Sequence, residues 1–232
     1  MIFQVNHLPP LSGNNIMKTD RMMKFKRKII SSQLFWKFRH YFQPSWVNAY
    51  NDKKTSDFYL EFLKKNKSSS VFDFGCATGN LLFNLNQSFP DLVLLGLDIN
   101  SRAINECNQK FNAINKNRNK FMFINKIDHK SMKAFLDANA LKKFDVTIFD
   151  RVLYCLRDNE INKILSYISD FTTAIIIDDF VIDNKKEING YKHRDWIKKM
   201  SDLKFENIYN SETIYTKVDK ANARTLVFRS IN

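Results

Sequence analysis

The sequence predicts an α/β fold built on a mostly parallel sheet, and three observations carry the prediction. Short apolar runs at residues 71–74, 92–97, 121–124, 144–149 and 173–177 alternate with longer stretches whose apolar residues recur at helical spacing. Acids stand at or near the ends of these runs: Asp73, Asp98, Asp150 and the pair Asp178-Asp179. At 232 residues with 44% hydrophobic content and 21 Phe, the chain is long enough for one such domain with a full core plus a short accessory segment. Alternating strands and helices call for right-handed crossovers and helices on both faces. Acids at strand ends then collect along the carboxyl edge, where open α/β sheets bind ligands.

Taken in order, residues 1–20 read as a loose tail with Pro9, Pro10 and Gly13. Residues 23–42 place Phe25, Ile29, Leu34, Phe35 and Phe38 at helical spacing among Lys and Arg, which reads as a basic helix. It either packs on the core domain or serves as a lid or a membrane-surface helix. Residues 44–50 form a turn followed by Trp46 and Tyr50, and residues 56–65 read as a helix with Phe58, Tyr59, Phe62 and Leu63 inward. The chain thus divides into a tail and basic extension at 1–54 and a main domain at 55–232.

Within that domain Asn80 is expected to cap a helix carrying Leu81, Leu82 and Leu85, and Asn100 or Ser101 to cap one carrying Ile104, Cys107, Phe111 and Ile114. Further helices are expected at 131–141, at 159–171 and near Trp196. Residues 173–177 are too short and β-branched to be helical, and the strand is expected to stop at Asp178-Asp179. The tail ends in runs at 205–209, 213–218 and 225–229, which read as a closing antiparallel strand pair.

Several classes are disfavoured. No apolar run approaches the length of a membrane span, and the start lacks the pattern of an export signal, so a cytoplasmic protein is expected. Cys76, Cys107 and Cys155 fit neither a disulfide framework nor a Cys-x-x-Cys site and are expected to be free, mostly buried thiols. His7, His40, His129 and His193 show no zinc-ligand spacing. A net charge of +13 would draw the chain to nucleic acid, an anionic membrane or a charged substrate. It equally reflects a composition rich in Lys, Asn, Ile and Phe throughout.

The chemistry centres on residues 71–80, Val-Phe-Asp-Phe-Gly-Cys-Ala-Thr-Gly-Asn. A strand, a glycine turn and a helix start make a nucleotide-type cradle, in which Gly75 and Gly79 allow a close backbone approach and the helix start offers unpaired N–H groups. The spacing Asp-x-Gly-x-x-x-Gly, with Ala77 in the middle, differs from the Gly-x-Gly-x-x-Gly of dinucleotide binders. Asp98 stands at the end of the next strand, where an acid would accept both hydroxyls of a ribose.

On these residues the chain resembles the class I S-adenosylmethionine (SAM) dependent methyltransferases: residues 71–79 are similar to the family's first motif and residues 94–99 to its next. The resemblance covers roughly residues 55–230 and implies a seven-stranded, mostly parallel Rossmann-like sheet with the last strand inserted antiparallel. It implies SAM as cofactor, with Asp73 near the sulfonium or amino group, Gly75, Cys76, Ala77 and Gly79 along the methionine part, and Asp98 and Ile99 at the ribose end. An acid after the third strand recognises adenine in the family. Here Ile127 holds the usual acidic position and Asp128 follows, so Asp128 is either that contact or a solvent-exposed loop acid.

Asp150, Asp178 and Asp179 resemble the acids of metal-dependent O-methyltransferases, in which a divalent cation lowers the pKa of the acceptor hydroxyl. Mg²⁺ bound by these three is therefore one reading. Arg151-Val152-Leu153-Tyr154 is more similar to the metal-free small-molecule branch, and Arg151 could neutralise Asp150. His193, in the loop after the fifth strand, is either a general base or a surface histidine in a basic loop. Asp150 and Tyr154 are further catalytic candidates, and Arg194 is a candidate substrate contact. After Asp150 there is no Pro-Pro-aromatic run of the amino-methylating enzymes, and no Pro-Cys pair provides the nucleophile of the cytosine C5 enzymes. The expected acceptor is an oxygen on a small molecule or glycan. The rivals are an RNA methyltransferase that uses the basic segment at 24–42, and a binding module that retains SAM without turnover.

Overall fold

A computed structural model describes residues 53–114, 120–127, 129–181, 194–216 and 221–231. The tail, the basic segment at 24–42, Asp128 and His193 lie outside the described residues.

The strands are β1 (Ser70–Phe74), β2 (Val93–Leu97), β3 (Phe121–Ile124), β4 (Phe144–Asp150), β5 (Thr172–Val181), β6 (Phe205–Asn210), β7 (Ile214–Thr216) and β8 (Ala221–Ser230). Seven of them lie side by side in the order β3-β2-β1-β4-β5-β8-β6, and the three-residue β7 pairs with β8 off this path. The β3-β2-β1-β4-β5 part is parallel, whereas β8 runs antiparallel to both β5 and β6. The expected sheet and its closing antiparallel pair are both present. The chain leaves β1 in one direction toward β2 and β3 and later in the other toward β4 and β5, so the topological switch point lies between β1 and β4.

The helices are α1 (Lys53–Asn66), α2 (Asn80–Ser88), α3 (Ser101–Ile114), α4 (His129–Ala138), α5 (Asp158–Ser169) and α6 (Trp196–Asp202). Side chains alternate across each strand, so the sheet carries two cores. On one face Val71, Leu94, Ile148, Ile176 and Val227 meet Tyr59 and Leu63 of α1, Leu82 and Leu85 of α2, and Ile104, Cys107 and Phe111 of α3. On the other, Phe72, Leu95, Phe149, Ile175, Ile177 and Phe228 meet α4, α5 and α6 through residues such as Phe135, Leu165 and Met200.

Two expectations change in detail, at α2 and β5, and the choice between Asn100 and Ser101 is resolved. Gly79 caps α2 in the left-handed conformation, and Asn80 is its first helical residue. Asn100 caps α3, its side-chain oxygen accepting from the Arg102 N–H at 3.1 Å. Strand β5 continues through Asp178 and Asp179 to Val181, because pairing with β8 gives its backbone partners as far as Asn222. Two adjacent residues of one strand must face opposite sides of the sheet, which separates the two acids.

At the amino edge, Asp145 ties β4 to β1. Its Oδ2 accepts from the N–H groups of Ser69 (2.6 Å) and Ser70 (3.1 Å) and from their hydroxyls at 2.9 and 3.1 Å. The same edge fixes α1, whose Asn66 accepts from Arg229 at 2.7 Å, while Tyr59, seven residues earlier, reaches the acids of the carboxyl edge. Helix α1 therefore runs with its first turn toward the carboxyl edge. We expect Asp145→Ala to cost about 1.5–3 kcal/mol, the worth of hydrogen bonds to a charged group. Urea unfolding checks this through a lower midpoint at an unchanged slope.

Candidate functional site

The cleft is built from the loops that follow β1, β2 and β4. After Phe74 the backbone takes three left-handed residues within five: Gly75 (φ 90°), Ala77 (φ 49°) and Gly79 (φ 72°). The carbonyl of Leu97, at the end of β2, accepts from the N–H groups of Gly75 (2.7 Å) and Cys76 (3.0 Å), which draws the loop across to β2. A Cβ on Gly75 would come within 2.6 Å of the Val152 side chain, and one on Gly79 within 2.9 Å of the Cys107 sulfur. Both glycines are required by space as well as by φ. Ala77 adopts the left-handed region despite its Cβ, a strain of about 1–2 kcal/mol that the surrounding bonds hold.

Those bonds come from β2 and α3. Asp98 Oδ2 accepts from the Ala77 N–H at 3.0 Å, and its Oδ1 accepts from the Asn100 N–H at 2.8 Å. The Ala77 carbonyl accepts from Cys107 Sγ at 3.2 Å. Lys110 Nζ donates to the Thr78 carbonyl at 2.9 Å and to Asn80 Oδ1. Sequence reasoning singled out neither Lys110 nor Cys107 for this role, and no local motif marks them, since both are contributed from 30 or so residues downstream by α3 packing. Among the described residues Cys76 and Cys107 are free and buried and Cys155 is free and half-buried, as expected. Burial, followed by contact with Cys107, pushes the Cys76 thiol well up, so it stays protonated.

Asp73 is buried on the α1 face, and burial, followed by Asp150 and Asp98, pushes its carboxyl well above the usual range. Such a group is ready to meet a cation. Ile99, next to Asp98, is an exposed large apolar side chain at the carboxyl edge (41%).

The remaining acids sit at the end of β4 and in the second half of β5. Asp150 and Asp178 are register partners, and Thr225 of β8 is the next in line. Arg151, in the left-handed region at φ 47°, turns its guanidinium back over them, with Nε 3.0 Å from Asp178 Oδ1 and 3.5 Å from Asp150 Oδ1. Thr225 donates its hydroxyl to Asp178 Oδ2 at 2.7 Å. Asp179 faces the opposite core. Its Oδ1 accepts from the Phe180 N–H at 2.9 Å, and the Trp196 indole also donates to it.

This geometry does not fit the reading in which Asp150, Asp178 and Asp179 hold Mg²⁺. Asp179 lies on the wrong side of the sheet, and a guanidinium already occupies the oxygens of Asp150 and Asp178 that a cation would need. No group of three or more His, Cys, Asp or Glu that could hold a metal occurs among the described residues. Arg194, expected near substrate, instead donates to Asp158 Oδ1 at 3.0 Å and to the Leu156 carbonyl at 2.8 Å, pinning the start of α5. Tyr154 lies in a 3-10 turn at Leu153–Cys155, half-buried, its ring 5.0 Å edge-on from Phe180.

SAM does fit at the head of β1 and β2. Gly75 and Gly79 leave backbone where a Cβ would stand, and the first turn of α2 offers N–H groups. Asp98 is held by one amide on each oxygen, and a carboxylate oxygen can accept more than one hydrogen bond.

The fold and this loop are of the kind found in class I methyltransferases. Residues 72–174, from β1 into β5, match the family model described as a methyltransferase domain. Among curated proteins none matches the chain in sequence. Solved structures similar in fold include magnesium protoporphyrin IX methyltransferase from Synechocystis PCC 6803 with bound SAM, at 18% identity and TM-score 0.61, covering 90% of this chain and 96% of that one. N-methyltransferase NodS from Bradyrhizobium japonicum WM9 aligns at 13% identity and TM-score 0.56, covering 78% and 97%. Mitomycin 7-O-methyltransferase MmcR aligns at 13% identity and TM-score 0.52, covering 80% and 60%. The family-model match and the shared fold support a SAM-dependent methyltransferase of class I. No helix among the described residues is long and apolar enough to cross a membrane.

Two outcomes follow from the strained and buried groups. Ala77→Gly relieves the left-handed Cβ and should raise stability by about 0.5–1 kcal/mol after the added freedom of the unfolded glycine is subtracted, read as a higher urea midpoint. Burial lifts the Asp179 carboxyl from 3.8 to about 7. The folded state then binds the extra proton, so stability falls as pH rises between about 4 and about 7, by at most about 4 kcal/mol. Asp179→Asn removes that loss, and its gain in urea midpoint should be larger at pH 8 than at pH 5.

Proposed function

We propose that the chain transfers the SAM methyl group to an oxygen atom of a small molecule or glycan, without a metal, at the carboxyl edge between β1 and β4. The observation that carries the reading is the Asp98 carboxylate. Its two oxygens are fixed by the Ala77 and Asn100 amides, one each, at the carboxyl end of β2. Because each carboxylate oxygen accepts more than one hydrogen bond, a carboxylate so oriented suits the two hydroxyls of a ribose. Ile99 supplies exposed apolar surface beside it for the adenine. Backbone of Gly75, Cys76, Ala77 and Gly79 borders the methionine part, and Asp73, whose pKa burial raises well above the usual range, is stabilised in its charged form by an ammonium or sulfonium.

When bound, SAM supplies a methyl group on a positively charged sulfur, and the protein's task is alignment. Asp150, at the end of β4 and partly open to solvent (17%), takes the proton of the acceptor in this reading. Tyr154 stands in the loop that follows it. Residues 55–232 form the transferase domain in this reading. Helix α1 begins at the carboxyl edge, on the acceptor side in this reading. Asp128 is assigned to the adenine by the family resemblance, and His193 is assigned as a second base by its place in the sequence after the fifth strand. An oxygen acceptor is favoured because the chain lacks both the Pro-Pro-aromatic run of amino-group enzymes and the Pro-Cys nucleophile of cytosine C5 enzymes.

The test is calorimetric titration with S-adenosylhomocysteine, the demethylated product. Micromolar binding is expected, with none for NADH. Asp98→Ala should weaken it by about 1–3 kcal/mol, the cost of hydroxyls left without an acceptor. An unchanged affinity in that variant would remove the ribose assignment.

A further inference from the structure

We propose that Tyr59 is the hydrogen-bond donor that receives the methyl acceptor, and that the group it receives is a neutral hydroxyl and not an anion. The inference rests on the methyl-transfer reading above and specifies its acceptor side.

Tyr59 is 1% exposed, yet its hydroxyl has no hydrogen-bond partner among the described residues. A buried phenol normally finds one, because leaving it unpaired costs folding free energy. The ring itself is explained by packing: it lies in the core with Val71, Ile148, Ile176 and Val227. The hydroxyl end is not explained that way. On that face, the residues two further along β1, β4 and β5 from Val71, Ile148 and Ile176 are Asp73, Asp150 and Asp178. Burial and then these carboxyl groups, Asp150 first, hold the phenol proton on well above its usual range, with Arg151 pulling the other way. The hydroxyl is thus a neutral donor beside the carboxylate that opens to solvent.

The surroundings decide what it can receive. Two carboxylates, Asp150 and Asp178, share this corner with one guanidinium and leave it net negative, so a carboxylate or phosphate on the acceptor would be repelled. A hydroxyl satisfies both sides, accepting from Tyr59 and donating to Asp150. In the transfer the acceptor oxygen–carbon bond forms as the carbon–sulfur bond breaks, with that electron pair remaining on sulfur and the acceptor proton passing to Asp150. Tyr59 stays protonated throughout and stabilises the charge that develops on the acceptor oxygen.

The test uses the full chain with tyrosine labelled by ¹³C at Cζ, the Tyr59 signal being assigned by its loss in Tyr59→Phe. S-adenosylhomocysteine should bind both proteins within twofold, which establishes the cofactor site independently; absence of binding to the parent would count against the methyl-transfer reading itself. With S-adenosylhomocysteine in place, phenol should move the Tyr59 signal and benzoate should not. Phenol affinity should fall about tenfold in Tyr59→Phe. Because an unpaired hydroxyl is removed, the ligand-free variant should melt at the same temperature as the parent or higher. A lower melting temperature would mean that the hydroxyl is satisfied inside the free protein. A Tyr59 signal indifferent to phenol, or moved equally by benzoate, would also overturn the proposal.

Discussion

The hydrogen bond from the Ala77 amide to Asp98 is the contact through which two strands become one binding surface. The loop after β1 cannot reach this conformation by itself, since an alanine in the left-handed region is disfavoured and two further residues must also turn that way. Leu97 draws the loop toward β2 through its carbonyl, Asp98 holds its middle, and Cys107 and Lys110 of α3 close it from behind. Strain is tolerated where neighbouring structure over-determines it, and here both the amide and the carbonyl of Ala77 are bonded. The glycines on either side then supply proximity, with Val152 from the loop after β4 packed against one and Cys107 against the other.

The other half of the cleft follows a different rule. Its acids are brought together by strand register, Asp150 beside Asp178 beside Thr225, and are kept in a buried setting by one arginine and one hydroxyl. A carboxylate removed from water requires a partner. Arg151 meets that requirement for Asp178 and Asp150 together, so the acids function as an anionic wall and not as a cation cage. Asp73 and Tyr59 stand beside the wall at β1 and α1, and burial raises the pKa of both well above the usual range. A cationic methyl donor and a hydroxyl acceptor suit such a wall on electrostatic grounds.

Helix α1 links the two halves to the rest of the chain. Its Leu63 and Tyr59 fill the core over β1 and β4, its last residue is tied to β8, and its first turn points to the carboxyl edge. Helix α1 therefore begins on the carboxyl edge, the side the proposed acceptor would approach. Exposed Tyr209 stacks on Phe58 of the same helix at 5.1 Å, which carries the packing of α1 across to β6.

Much of this was legible in the residue pattern. The alternation of short β-branched runs with helical spacing determined the parallel sheet, and the spacing of Asp73, Gly75, Gly79 and Asp98 determined the reaction class, because both depend on local chemistry repeated along the chain. The pattern misplaced what depends on register and facing. Asp178 and Asp179 read as one paired ligand at a strand end, but β8 extends β5 past them and pleating sends them to opposite cores. Arg194 read as a substrate contact and proved to be an anchor for α5. Tyr59 read as one more inward aromatic of a helix, since periodicity reports which side a residue faces and says nothing of what its polar tip meets. The sequence by itself thus determined the architecture and the cofactor motif, while tertiary structure alone decided which acids share a face, which of them an arginine neutralises, and which buried hydroxyl has no partner among the described residues. Those three outcomes depend on contacts between strands and helices far apart in the chain, and no local pattern encodes them.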